Sequence, residues 1–386
     1  MIEREGASEL IRLSKTFKAV AVTGCRQTGK TVLVKHCFPD LPYVSLENPD
    51  TRMFAISDPR GFLAGFPNGA ILDEVQRTPE IFSYLQEILD QSNQKGLFIL
   101  TGSNNFLLQQ SISQTLAGRI GYFNLQPFSI SELTSAGLLS PDDNQLMVNG
   151  FYPPIYDQKI SPKDWMPNYV RTYIDRDVRQ IKNISDLLVF ERFIRILAGR
   201  CGQELNVSTI TVEVGVDVKT IQSWIGILEA SYLVYLLRPY HKNFNKTIVK
   251  RPKIYFHDTG LVCWLLGIQS AAQLEVNPLR GAIFENMVVS ELYKIRSNQG
   301  QPINLFYWRD KTGHEIDVVV ERFPTSNPIE IKSGQTIQPS FFRNLEYWNK
   351  LTGNVGATIL YAGKEMQNRS NGIKVLPWRS IANGNL

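Results

Sequence analysis

Eight residues constrain this chain more than any others: Gly24-Cys25-Arg26-Gln27-Thr28-Gly29-Lys30-Thr31 fits G-x-x-x-x-G-K-[ST]. Phe17 to Val22 alternates as a short buried strand and Thr31 to Cys37 continues as a helix, which is the strand, loop, helix context the motif requires. Gly24 and Gly29 let the backbone curl until its N–H groups and the helix N-terminus converge on phosphate oxygens, with Arg26, Gln27 and Thr28 completing the cradle. Lys30 is expected to reach the outer phosphates of a nucleotide, and Thr31 to place a hydroxyl on magnesium. The loop position of Cys25, at a helix N-terminus, predicts a reactive thiol whose alkylation blocks nucleotide binding.

Short apolar strands keep alternating with amphipathic helices, which argues for a parallel α/β sheet. Tyr43 to Leu46 reads as one strand. Ala70 to Glu74 reads as another, ending in two carboxylates: Asp73 is expected to bind magnesium through its water shell and Glu74 to polarise the attacking water. After a strand at Leu97 to Thr101, Ser103 or Asn104 is a candidate sensor of the terminal phosphate, although a Gly-Ser-Asn turn would look the same. Arg119, before the next strand, is a candidate arginine finger, in cis or toward a neighbouring subunit of a homo-oligomer. No Asn-Lys-x-Asp guanine signature occurs, so the expected cofactors are ATP and Mg²⁺.

Gly-x-Arg-Gln-x-Gly-Lys-Thr, Leu-Asp-Glu-Val-Gln-Arg, Leu-Thr-Gly-Ser and Leu-Ala-Gly-Arg, in this order, resemble the bacterial and archaeal AAA-type ATPases related to the STAND NTPases. The resemblance spans nearly the whole chain and implies ATP hydrolysis in residues 1–137. Asn149-Gly150-Phe151-Tyr152-Pro153 departs from the Gly-Gly pair that the family carries there, which bears on interdomain geometry and not on chemistry.

Bulk properties narrow the setting. No run of 18 apolar residues occurs, so no membrane span is expected. The opening Glu3, Arg4 and Glu5 have no apolar segment that would direct export, and four isolated cysteines suit the reducing cytoplasm. The net charge of +5 is uneven: residues 1–140 hold 12 Lys/Arg against 13 Asp/Glu, leaving 29 against 23 for the rest.

Residues 138–167, rich in Pro, Asn, Asp and Ser, read as a linker. Over 168–260 a helix from Glu191, a short helix ending at Gly215, a longer helix capped by Asp217 and a hairpin form a winged-helix pattern. Its wing would carry Lys242, Lys246, Lys250, Arg251 and Lys253, and its second helix would expose Lys219, Thr220, Gln222 and Ser223. These residue types suit DNA phosphates and base edges, and equally a solvated face or a protein interface.

Residues 275–386 hold a second concentration of charge. Glu285 lies on the apolar face of a helix, and Asp317 and the pair Glu330/Lys332 lie on neighbouring strands, where alternation aims Glu330 and Lys332 one way and would put Asp317 on the face of Val319. Asp, Glu-x-Lys and the order helix, three strands, helix, strand resemble the PD-(D/E)xK nuclease superfamily. That resemblance implies that Asp317 and Glu330 hold one or two magnesium ions, Glu285 completes the shell, and Lys332 orients the attacking water or balances charge on the phosphate. A network of buried ion pairs is the other reading. The expected fold is therefore an α/β chain: a P-loop NTPase parallel-sheet domain, an α-rich winged-helix domain and an α/β PD-(D/E)xK nuclease-like domain. Two functions follow: an ATPase acting on DNA through its C-terminal region, or a nucleotide-controlled switch that binds a partner or nucleic acid without cleavage.

Overall fold

The computed structural model describes residues 2–102, 115–173, 184, 186–240, 249–322, 325–353 and 355–383. Five parallel strands, β1 (Ala19–Thr23), β2 (Tyr43–Ser45), β3 (Ala70–Asp73), β4 (Phe98–Thr101) and β5 (Ile120–Asn124), form the first sheet in the order β2-β3-β4-β1-β5. β1, β3 and β4 are buried along their whole length, as strands covered on both faces must be. Val20 and Val22 pack with Leu10, Leu13, Leu33 and Val34 of the helices Ala7–Thr16 and Lys30–Cys37. Ala19 and Ala21 face the opposite layer, where Phe82, Leu85 and Leu89 of the helix Ile81–Gln91 lie. Because β4 is inserted between β1 and β3, the end of β4 stands between the phosphate loop and Asp73.

The expected linker is instead core. Helices Asp143–Asn149, Pro153–Asp157 and Pro162–Tyr173 occupy it, and Leu146, Met147, Phe151, Tyr152, Trp165 and Tyr169 join the largest apolar cluster. The residues that read as breakers are helix starters here: the Asp142 carboxylate accepts from Asn144 N, and Pro153 and Pro162 open their helices. Gly150 needs its freedom, since its φ is +70° and an added Cβ would stand 2.5 Å from Asp258 Oδ1.

Three further helices, Leu187–Ala198, Val207–Val214 and Val218–Ala230, are each capped by an Asp or Asn side chain and precede β6 (Val234–Leu237). β6 pairs antiparallel with β7 (Lys253–Phe256). Phe190 and Phe193 pack on Trp224 to hold the first and third of these helices together. Lys242 and Lys246 lie outside the described residues, whereas Lys250 and Arg251 are exposed.

The last sheet is mixed, with β8 (Leu305–Arg309), β9 (Glu315–Arg322), β10 (Thr325–Lys332), β11 (Ala357–Tyr361), β12 (Gln367–Asn368) and β13 (Ile373–Pro377) in the order β12-β13-β11-β10-β9-β8. β8, β9 and β10 are antiparallel neighbours, and β11 joins β10 in parallel after the helix Arg343–Thr352. Ile329 and Ile331 belong to the same apolar cluster as Ile283, Phe284 and Met287 of the helix Arg280–Asn298. Between the pairs Phe306–Val319 and Trp308–Ile316 the register shifts by one residue, which places a bulge in β9 at Asp317–Val318. Strict alternation therefore fails at Asp317, and a bulge is a device for re-aiming a side chain.

Candidate functional site

The loop after β1 has the conformation its glycines allow. Gly24 has φ +134°, and a Cβ there would lie 2.1 Å from the carbonyl oxygen of Leu125, the residue just after β5, so no other residue fits. Gly29, at φ +89°, caps the helix Lys30–Cys37, whose open N–H groups face the loop. Thr28 Oγ1 donates to Cys25 O at 2.9 Å and closes the turn. Lys30 folds over the loop, its Nζ donating to Gly24 O at 3.0 Å and to Cys25 O at 2.6 Å. Burial lowers the pKa of this ammonium from its ordinary value, while the nearby Glu74 charge opposes that shift.

Thr31 and Asp73 meet across the sheet, with Thr31 Oγ1 donating to Asp73 Oδ2 at 3.2 Å. Tyr43 OH donates to the same oxygen at 2.6 Å, and Thr101 Oγ1 donates to Asp73 Oδ1. A carboxylate held by three hydroxyls, that of Thr31 among them, fits the hard, oxygen-rich surroundings that Mg²⁺ takes. Glu74 follows at φ +57°, its carboxylate accepting from Gln76 Nε2. A cleft of about 310 Å³ separates Lys30, Thr31 and Glu74 from Tyr169 and Thr172 of the helix Pro162–Tyr173. Tyr43, Thr101, Tyr169 and Thr172 carry no spacing signal that sequence reading could use.

Arg4 is another residue the motif does not announce. It is buried, and its guanidinium donates to Thr28 O at 2.6 Å, to Gln126 O at 2.7 Å and to Glu132 Oε1 at 3.0 Å. It also lies over the Phe128 ring, 4.8 Å from the centroid.

Two expectations are corrected here. Cys25 is not a reactive thiol: it is buried, its Sγ donates to Tyr232 O at 2.5 Å, and burial pushes its pKa up to about 12. Arg119 cannot act as a finger on its own phosphate loop. Its carbonyl accepts from Ala19 N, at the start of β1, whereas the loop follows the other end of that strand. Its guanidinium is committed to Asp90 by two bonds of 2.5 and 3.0 Å. Ser103 and Asn104 lie outside the described residues.

At the C-terminal carboxylates the structure brings Asp317, Glu330 and Lys332 together. Asp317 Oδ2 accepts from Ile331 N at 2.7 Å, beyond the last ladder pair Val318–Ile329. Lys332 Nζ lies 2.7 Å from Glu330 Oε1 and 3.7 Å from Asp317 Oδ2. Burial, reinforced by the Asp317 charge, pushes Glu330 up to about 8. Lys253 does not belong to an exposed wing: it is buried in this cluster, 3.3 Å from Glu285 Oε1 and bonded to Glu315. Glu285, expected to complete a ligand shell, accepts through its Oε1 from both Lys253 and Tyr255 OH, the latter at 2.6 Å. Among the described residues no three His, Cys, Asp or Glu side chains are grouped so as to hold a metal ion.

The parallel sheet, the glycine-shaped loop and the Thr31–Asp73 contact define a P-loop ATPase-type domain. Residues 16–134 match the model of an AAA domain. Residues 140–272 and 280–381 match two domains of unknown function, DUF8612 and DUF4143. Uncharacterized proteins of Mycobacterium tuberculosis and Mycobacterium bovis are each 29% identical over 346 residues, covering 89% of this chain and 76% of theirs. Among solved structures, a Walker-type ATPase of Pyrococcus abyssi is similar with a TM-score of 0.44 and 13% identity, over 69% of this chain and 96% of that one. A STAND protein of Pyrococcus horikoshii with a tetratricopeptide repeat sensor has a TM-score of 0.22 at 13% identity, over 78% and 51%. Among the described residues no helix is long and apolar enough to cross a membrane.

Proposed function

We propose that this chain binds and hydrolyses Mg²⁺-ATP at the first sheet and uses the nucleotide state to govern a DNA-binding middle region and a nuclease-like C-terminal region. The observation that carries the reading is the contact of Thr31 with Asp73, 3.2 Å apart, beside Lys30 in a glycine-shaped loop. Thr31 and Asp73 would hold the metal, Asp73 largely through its water shell, and the metal would neutralise charge on the phosphates. Arg26, Gln27, Thr28 and Gly29 offer the loop backbone to the phosphates. Lys30 leaves the loop carbonyls for phosphate oxygen, and Glu74 accepts the proton of the attacking water. The middle region is read as a winged helix because a three-helix run precedes the β6–β7 hairpin, with Lys219, Gln222, Lys250 and Arg251 exposed.

Steady-state turnover with and without duplex DNA tests the scheme. Lys30→Ala should lose nucleotide binding. Glu74→Gln should bind ATP yet turn over roughly 10²–10⁴-fold more slowly. Wild-type turnover should rise with DNA, and a Lys250→Ala/Arg251→Ala variant should lose that rise. Ordinary hydrolysis by Glu74→Gln would remove Glu74 from the mechanism, and DNA-indifferent turnover would remove DNA.

A further inference from the structure

We propose that Lys253, reaching in from the β6–β7 hairpin, is the resident cation of the C-terminal carboxylate cluster and stands in place of a divalent metal, so that this nuclease-like fold binds without cutting. The inference rests on the nuclease-like reading of residues 275–386 and narrows what that region does.

Each acid of the cluster already has a basic partner. Glu285 is paired with Lys253, and Glu315 with Lys253 and with Arg309 Nη1 at 3.3 Å. Asp317 and Glu330 share Lys332. The glutamate that a metal shell would need from the helix Arg280–Asn298 is thus the one that Lys253 has taken. Lys253 and Tyr255 are two residues apart on β7, so both side chains leave the strand on one face and both end on Glu285 Oε1. These two groups belong to a hairpin outside the nuclease-like element order.

The ammonium is no loose surface charge. The Lys253 side chain is only 4% exposed and lies 5.5 Å from the centroid of the Tyr307 ring. Mg²⁺ demands near-octahedral oxygen ligands at ~2.0–2.1 Å. A metal bound through Glu285 would therefore have to displace a buried lysine, or sit beside it against like-charge repulsion. Glu330 Oε2 is buried without a partner, which leaves an oxygen that an entering cation could take once the lysine is gone.

Removing the lysine should open the site. Mn²⁺ binding to the full, nucleotide-free chain can be counted by electron paramagnetic resonance, with Asp317→Asn and Glu330→Gln assigning any ion to this cluster and not to the phosphate loop. Wild type should give the same Mn²⁺ stoichiometry as Asp317→Asn. Lys253→Ala, or Lys253→Met if the alanine variant fails a circular-dichroism check of folding, should gain one Mn²⁺ equivalent that Asp317→Asn abolishes in the same background. If wild type already holds an ion that Asp317→Asn removes, the proposal falls while the nuclease-like reading stands. If a folded Lys253 variant gains nothing, the proposal falls and the metal-site reading falls with it.

Discussion

His257 shows how much a single buried side chain can decide. It lies among the rings of Tyr235, Tyr293 and Tyr232, with centroids at 4.8, 5.1 and 6.2 Å. Burial, helped by the charge of Lys294, lowers its pKa from 6.5 to about 3. The folded chain therefore keeps this imidazole neutral over a range in which the unfolded chain protonates it. Its contribution to stability is complete above pH 6.5 and is lost as pH falls from there toward 3. The slope approaches ~1.4 kcal/mol per pH unit for one such group. His257→Phe should make stability less steep between pH 6.5 and 5, as read by urea denaturation at several pH values. An unchanged slope would mean that the acid sensitivity comes from other groups.

At the scale of the element, the phosphate loop is held from behind as well as shaped from within. Arg4 grips the Thr28 carbonyl, and with it the orientation of the next peptide, whose N–H belongs to Gly29. Arg4→Met should leave Thr28 O, Gln126 O and the Glu132 carboxylate short of a donor. Hydrogen bonds to charged groups are worth ~1.5–3 kcal/mol, so affinity for a fluorescent ATP analogue should drop by about tenfold or more. A thermal melt run beside it separates a slack loop from an unfolded one. Unaltered affinity in a folded variant would show that the Thr28 to Cys25 bond suffices. Arg4 also marks the limit of what was legible in the sequence. The loop, the strand ending in Asp73 and the parallel sheet were readable because each has a spacing or a period that local backbone geometry imposes. Arg4, Tyr43 and Thr101 act from distant positions through single side chains, and the chain carries no local mark of such meetings. The same holds for Lys253, whose charge suggested an exposed wing but whose strand position buries it against Glu285. The Pro- and Asp-rich segment before Trp165 misled for another reason: the residues that start helices are also the residues that fill linkers.

Across the whole molecule, the regions matching three different families are joined by buried polar contacts, so they should not unfold independently. The helix Arg280–Asn298 carries Glu291 and Lys294, both at most 1% exposed and 3.5 Å apart. Both reach back to the first domain: Glu291 Oε1 accepts from Ile130 N and Lys294 Nζ donates to Phe128 O, each at 2.8 Å. Burial pushes Glu291 up to about 7 and lowers Lys294 from its ordinary value, with each charge opposing the shift of the other. Deleting one member of such a pair leaves the other buried and uncompensated, at a cost of ~3–5 kcal/mol. Lys294→Met should accordingly lower the calorimetric midpoint strongly. Lys294→Met combined with Glu291→Gln should recover part of that loss, because no buried charge then remains, although Phe128 O still lacks its donor. Tyr232 adds a second junction, accepting from Cys25 Sγ through its carbonyl and meeting Thr23 Oγ1 at 2.9 Å through its hydroxyl. With the first domain gripped at both places, wild type should melt in a single calorimetric transition that shifts upward as a whole when ATP is added. A separate ATP-insensitive transition would mean that the nucleotide site does not communicate its stability to the C-terminal sheet, and a control function for that site would then lose its physical basis.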